Sequence, residues 1–241
     1  MEKTLTFKNG IKDGLPIGLG YLSVSFAFGV GASALGVPFF ISTLISMTNL
    51  TSAGQFAGLS IIVALGGILE MLITETVINS RYFLMSIALS QKLDASFTTA
   101  KRLFFSAFIT DEIFAVAVSK KEDINTNYFR GLILLPYLLW ALGTFLGAIT
   151  GDILPTIVIS SLGIALYAMF IAIIIPPSIK SVSVLSVVLL SAAISCVFYY
   201  VPVLNENVSS GFAVVICTLV SSVVMALLFP VKEEKEKEGA V

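Results

Sequence analysis

Five ionisable side chains lie within otherwise apolar stretches of this 241-residue chain, and they are its first candidates for chemistry. They are Glu70, Glu75, Arg81, Asp111 and Glu112. An ionisable residue at the centre of a membrane helix costs about 2.5 to 3.5 kcal/mol on insertion scales, so each one suggests a functional role. The chain has no His, so carboxylates would have to carry any proton. We expect these five residues to line a cavity or to take part in proton coupling.

The segment around Glu75 places several polar side chains on one side of a helix. At about 100° per residue, Glu75, Asn79 and Tyr82 fall within a narrow sector, whereas Glu70 and Arg81 lie nearly opposite. Asn79 and Tyr82 are therefore predicted to bind a substrate beside Glu75. The alternative is that Arg81 and Tyr82 only mark the membrane interface, where long polar side chains extend towards water.

Asp111 and Glu112 are adjacent, so on a helix their carboxylates point about 100° apart. They cannot share one partner as a paired acid and base would, and at most one of them faces a given cavity. The alternative is that this stretch lies shallow in the membrane and that water hydrates both carboxylates.

A polar run separates two apolar half-segments between residues 49 and 56. Its residue types are those that cap helices, which is what a discontinuous helix needs. Exposed backbone N–H groups at the start of the second half would attract a substrate carboxylate through the helix dipole. The predicted substrate-binding residues here are Asn49, Ser52, Gly54 and Gln55. The alternative is a plain surface turn.

The elements that position these residues follow from composition. The chain is 57% hydrophobic and 12% charged, whereas soluble domains carry about 25% charged residues. The lipid bilayer is therefore its expected solvent. Several apolar runs approach the roughly 20 residues that span a bilayer as a helix, and no alternating pattern of a membrane barrel occurs. The fold class is predicted as all-α, a polytopic transmembrane helix bundle.

Hydropathy predicts six full crossings, and two further apolar stretches are interrupted by polar residues. The broken stretches, 38–65 and 102–118, are predicted to be broken or re-entrant helices; counting them differently gives seven or eight spans. Both ends of 102–118 are cationic, so it would dip in and return or form two half-helices. The six crossings are predicted at 15–35, 66–90, 131–150, 156–177, 182–201 and 208–230.

Lys and Arg near helix ends favour the cytoplasm. The cationic ends place both termini there, with residues 1–13 as a cytoplasmic N-terminus and 231–241 as a charged cytoplasmic tail. Residues 14–230 are predicted to form a single transmembrane transporter domain in a bacterial-type cytoplasmic membrane.

Two Gly-rich helices, near 14–38 and 131–155, start and end in similar ways. They suggest an internal repeat, although chance similarity explains them equally well. Within the second helix, Gly143, Gly147 and Gly151 share one face, which predicts close packing of another helix.

Three ordered motifs, at 52–57, 78–85 and 110–112, carry a family resemblance, together with the opening at 14–16 and the helix 140–151. Over nearly its whole length the chain resembles the AzlC-type branched-chain amino acid permeases, the large subunit of a two-component amino acid exporter. The resemblance implies efflux of valine, leucine, isoleucine or similar amino acids, with a small AzlD-like membrane subunit as partner. The family often has His where this chain has Tyr82 and Gly where it has Ser52, which leaves substrate range open.

The expected function is therefore a membrane transporter, an exporter of amino acids coupled to protons. A passive channel for small solutes and an intramembrane enzyme are the alternatives. The latter is disfavoured because no nucleophile with a base and no metal-ligand spacing occurs. No cofactor, metal site or nucleic-acid partner is expected, and a homo-oligomer is left open.

Overall fold

The computed structural model describes residues 5–151, 153, 157, 171 and 174–230. Regular structure in these residues is α-helical, apart from an isolated bridge between Leu93 and Ile124. The predicted all-α class is confirmed. The chain forms two compact units, residues 1–168 and 169–241, and each is described by itself. The single domain at 14–230 stays a prediction, and the predicted tail 231–241 lies outside the described residues.

Seven helices of the first unit and three of the second have bounds within the described residues. In the first unit they are α1 Phe7–Ala34, α2 Phe39–Thr48, α3 Ser52–Val63, α4 Ile68–Ser90, α5 Thr99–Ser106, α6 Asp111–Ser119 and α7 Thr126–Thr150. In the second they are α8 Val182–Tyr200, α9 Pro202–Asn207 and α10 Ser210–Leu228.

Four of these helices, α1, α7, α8 and α10, are long and apolar enough to cross a membrane. They coincide with four of the predicted crossings, although α1 begins at Phe7, earlier than expected, because the Thr6 side chain caps it. A continuous helix, α4, also forms where a crossing was predicted at 66–90, and its 23 residues reach about 34 Å. The predicted crossing at 156–177 lies mostly outside the described residues.

Both predicted interruptions are discontinuous helices. Thr51 caps α3, its hydroxyl accepting from the backbone N–H of Gly54 at 3.5 Å, and Thr110 caps α6 by accepting from Ile113 at 3.3 Å. Thr51 is only 4% exposed. The neighbouring residues 49, 50 and 52 are half-buried. The break before α3 therefore lies partly inside the first unit, which favours a discontinuous helix over a surface turn.

The stretch containing α5 and α6 begins and ends at neighbouring points. Lys92 Nζ donates to the carbonyl of Val118 at 2.6 Å, and the Asp94 N–H donates to the carbonyl of Ile124 at 3.0 Å. The two ends of the segment therefore lie side by side. Of the two predicted forms, the structure has two half-helices joined by a break at 107–110.

Helices α1 and α7 pack closely through glycines. Gly147 faces the backbone of Phe26, and Gly143 faces the carbonyl of Leu22, so a side chain at either glycine would meet backbone atoms. A side chain at Gly151 would meet the side chain of Ser33. The predicted packing role of this glycine row is confirmed. The internal repeat stays a prediction.

In the second unit, α8 and α10 pack against each other and α9 connects them. Many of their large apolar side chains point outwards; Leu189 is 61% exposed and Leu227 is 77% exposed. Such outward apolar surface is expected when lipid is the solvent.

Candidate functional site

The Glu75 carboxylate on α4 is held by two asparagines. Its Oε2 atom accepts from Asn79 Nδ2 at 2.8 Å and from Asn49 Nδ2 at 3.2 Å. Asn79 lies one turn further along α4, on the face predicted from the sequence, and Asn49 lies in the break between α2 and α3. The structure thus brings three predicted site residues together.

Helix α3 approaches this carboxylate through two glycines. A Cβ atom at Gly54 would lie 2.7 Å from Glu75 Oε2, and one at Gly58 would lie 3.1 Å from Glu75 Oε1. These positions are one turn apart and face α4. Gly54 was predicted as part of the site, whereas Gly58 was missed; its spacing of four residues from Gly54 is the signal that could have identified it.

A second polar cluster lies where α6 begins. Arg81 of α4 pairs with Asp111, the first residue of α6, at 2.9 Å. Arg81 also donates to the Tyr82 hydroxyl at 3.2 Å and lies over its ring. The Arg81 side chain therefore joins α4 to the start of α6.

This arrangement includes a contact that helical angles did not predict. Arg81 and Tyr82 were expected on different sides of α4, but the long guanidinium side chain reaches round the helix to its neighbour. The alternative in which the two residues mark a membrane interface stays a prediction, because the Arg81–Asp111 pair is half-exposed.

Glu112 has a partner of its own. The Tyr21 hydroxyl of α1 hydrogen-bonds Glu112 Oε2 at 2.5 Å and Thr110 Oγ1 at 2.6 Å. The Tyr21 ring lies edge-on to Trp140 of α7, with 5.1 Å between centroids. The prediction that the two neighbouring carboxylates have different partners is confirmed. Sequence reasoning missed Tyr21, since no local pattern distinguishes it from an aromatic residue facing lipid.

Gln55 belongs to a buried chain of hydrogen bonds that ties the first break to α7. Ser46 donates to Gln55 Oε1 at 2.8 Å and lies 2.6 Å from Thr144 Oγ1. All three side chains are fully buried. Gln55 Nε2 has no hydrogen-bond partner in the described part of the chain. Sequence analysis missed Ser46 and Thr144, although Thr144 follows one of the packing glycines directly.

Two predicted residues lie at the margins of these clusters. Glu70 is 8% exposed near the start of α4, with its Oε2 atom beside Gly66 in the α3–α4 connection. Ser52 is the first residue of α3 and is half-buried. Their predicted roles in coupling and in substrate binding stay predictions.

Two cavities in the described part of the chain lie away from the predicted site residues. One of about 660 Å³ opens at the cationic end of the first unit and includes Lys101 and Arg130 in its lining. Another of about 190 Å³ lies between α4, α5 and α7 and includes Arg102. Neither of these two cavities is lined by a predicted site residue.

Comparison with known proteins identifies the family. A model of the AzlC protein family matches residues 16–154, a range that contains every predicted site residue. The chain belongs to the AzlC family. As an AzlC-family protein it is a membrane protein with a transporter-type role, and the family is one of membrane transport, which points away from an enzyme.

The AzlC-family relatives include an archaeal and a bacterial protein. An uncharacterized membrane protein of Archaeoglobus fulgidus is 32% identical over 179 residues, which cover 73% of this chain and 78% of that protein. The inner membrane protein YgaZ of Escherichia coli is 29% identical over 151 residues, which cover 61% of this chain and 62% of that protein. No solved structure matches this AzlC-family chain.

Proposed function

We propose that this protein exports branched-chain or similar hydrophobic amino acids in exchange for protons. The observation that carries the proposal is that both half-helices, α3 and α6, begin beside the polar face of α4. Glu75 meets the break before α3 through Asn49, and Arg81 meets the first residue of α6. Discontinuous helices of this kind form the substrate and ion sites of many secondary transporters.

The start of α3 suits a substrate carboxylate. Its N–H groups carry a partial positive charge from the helix dipole, and Thr51 satisfies the N–H of Gly54. The backbone N–H groups of Ser52 and Ala53, which precede it in the first turn, remain to bind an anion. The Glu75 carboxylate lies beside this first turn, where a Cβ atom at Gly54 would be 2.7 Å from its Oε2 atom.

Among the carboxylates, Glu75 suits proton coupling best. Asp111 already has a cationic partner in Arg81, and Glu112 is hydrogen-bonded by Tyr21. Glu75 has only neutral amides as hydrogen-bond partners. A carboxylate with neutral partners in an apolar surrounding gains and loses a proton without breaking an ion pair.

The proposed location is the cytoplasmic membrane, with both termini in the cytoplasm and with a small AzlD-like subunit as partner. Three cationic segments meet at one end of the first unit: Lys120 pairs with Asp13 at 2.7 Å, and Thr126 hydrogen-bonds Ser96. Their common position agrees with a cytoplasmic end under the positive-inside rule. The bacterial relative is named an inner membrane protein.

The test measures retention of labelled leucine, valine and isoleucine by cells that express the chain with and without the small subunit. Lower retention when both are present supports a two-component exporter. Unchanged retention for all combinations overturns the amino acid assignment.

The coupling is tested in vesicles with an imposed pH gradient. Glu75→Gln should abolish the acceleration of efflux by the gradient, while the matched variant Glu206→Gln, at an exposed position of α9, should keep it. Wild-type flux that ignores the gradient and does not saturate would instead indicate the passive channel.

A further inference from the structure

Two buried oxygen atoms in the Glu75 cluster lack hydrogen-bond donors. They are Glu75 Oε1 and Asn79 Oδ1, and neither has a partner within the described residues. The other oxygen of the carboxylate already accepts from two amides. A buried acceptor without a donor destabilises the folded state, and native structures keep few of them. Two in one cluster point to a cationic ligand.

The hydrogen-bonding chemistry of Glu75 and Asn79 determines which of their atoms are left without a partner. An ionised carboxylate only accepts hydrogen bonds, so the amide nitrogen of Asn79 must face Glu75 Oε2 and its oxygen must point away. The 2.8 Å bond between them thus orients Oδ1 of Asn79. Both unpaired atoms are acceptors, and one of them carries negative charge.

We propose that Glu75 Oε1 and Asn79 Oδ1 bind the ammonium group of the substrate, and that Glu75 holds either this ammonium or a proton but never both. The inference rests on the proposed function, since it names how the same site recognises its amino acid. The helix start at Ser52 then takes the substrate carboxylate, which is bonded to the same carbon atom as the ammonium.

An ammonium group fits better than an inorganic cation. An ammonium offers three donors, which two acceptors and one further group satisfy. Hard metal cations collect about six or more oxygen ligands, and the cluster provides two unpaired ones. Gly58 lies against Glu75 Oε1, where any larger residue would crowd the approaching group.

Among the ionisable side chains around this site, Glu75 is the one proposed to exchange a bound cation. Helices α2 and α3 carry no ionisable side chain. From α6, Asp111 is paired with Arg81 and Glu112 with Tyr21. On α4 itself, Glu70 lies towards the helix start and Tyr82 two turns beyond Glu75.

Exchange at a single carboxylate gives a stoichiometry of one proton for each exported substrate molecule. When the ammonium leaves, Oε1 takes up one proton; when the next substrate binds, that proton is released. Each exported zwitterion is neutral and each returning proton carries one positive charge, so the cycle moves one charge inward. The membrane potential would then add to the pH gradient in driving export.

The test uses the purified full chain, with its small subunit, in lipid nanodiscs. Calorimetric titrations compare three probes: leucine, isoamylamine, which lacks the carboxylate, and leucic acid, in which a hydroxyl replaces the ammonium. We expect leucine and isoamylamine to bind and leucic acid not to bind. Glu75→Gln should weaken isoamylamine binding by about ten- to a hundredfold, the usual effect of losing a charged hydrogen-bond partner.

Further variants and conditions distinguish a specific loss of amine binding from a loss caused by misfolding. Gly58→Ala should weaken isoamylamine binding, whereas Glu206→Gln should not. Wild-type binding of isoamylamine should release a proton, as measured in buffers of different ionisation enthalpy.

The inference is wrong if isoamylamine does not bind the wild-type protein. It is also wrong if isoamylamine binds Glu75→Gln as tightly as wild type, even if leucine is still exported. Sodium binding that depends on Glu75, without amine binding, overturns it as well. Amine binding that depends on Glu75, in a protein that exports no amino acid, supports the ammonium site while the proposed substrate class fails.

Discussion

A matched pair of glycine substitutions tests whether the close approach of α1 and α7 stabilises the first unit. Gly147→Ala places a methyl group against the backbone of Phe26, with the carbonyl carbon at 2.9 Å and the Cα at 3.0 Å. Gly31→Ala, on α1, adds the same group where no atom lies within 4 Å. Both glycines lie inside helices.

The difference in stability between these two variants isolates the cost of the steric contact at Gly147. Replacing Gly by Ala within a helix stabilises it by roughly 0.5 to 1 kcal/mol, and this gain is common to both variants. Only Gly147→Ala must also push apart two backbones, and overpacking of this kind costs about 1 to 3 kcal/mol. We therefore expect Gly147→Ala to be less stable than Gly31→Ala by about 1 to 3 kcal/mol.

The assay is unfolding by increasing fractions of SDS in mixed micelles, followed by tryptophan fluorescence. Trp140 is the only tryptophan of the chain, and its ring lies on α7 against Tyr21 of α1. Its emission therefore reports the interface that the substitution disturbs. Equal stability of the two variants, within about 0.5 kcal/mol, would refute the claim that backbone contact limits this position.

Three more predictions use the same unfolding assay. Thr144→Val removes a buried hydroxyl from the hydrogen-bond chain and should destabilise the protein by about 1 to 3 kcal/mol, whereas Thr150→Val, whose hydroxyl bonds only its own helix, should change little. Tyr21→Phe should lower stability by about 1 kcal/mol without altering the Trp140 emission of the folded state, because the ring stays; a shifted emission would contradict it. The Arg81–Asp111 pair is half-exposed, so a double-mutant cycle should give a coupling below about 1 kcal/mol, and several kcal/mol would show a buried pair instead.

Sequence reasoning located both helix breaks because their causes are local. A threonine precedes each second half-helix, at Thr51 and Thr110, and its hydroxyl caps the first turn. A capping side chain acts within three residues of itself, so its residue type and position are visible in the chain. The same holds for Glu75 and Asn79, which one helical turn brings together.

Sequence reasoning failed where a long side chain or a distant helix decides the contact. Helical angles separated Arg81 from Tyr82, but the guanidinium spans that distance. The partner of Glu112 is Tyr21, 91 residues away, and that of Ser46 is Thr144, 98 residues away. No periodicity in the sequence relates such residues.

The sequence by itself determined that this chain is a helical membrane protein, that two of its helices are broken, and which helix carries the buried carboxylates. Hydrophobic runs and capping residues act over a few neighbours, so these features need no knowledge of packing. Only the tertiary structure decided that Asn49 meets Glu75 and that Arg81 meets Asp111. Those contacts depend on how separate helices pack, which is set by the fit of whole surfaces, such as the glycine faces of α1 and α7, and not by any local pattern.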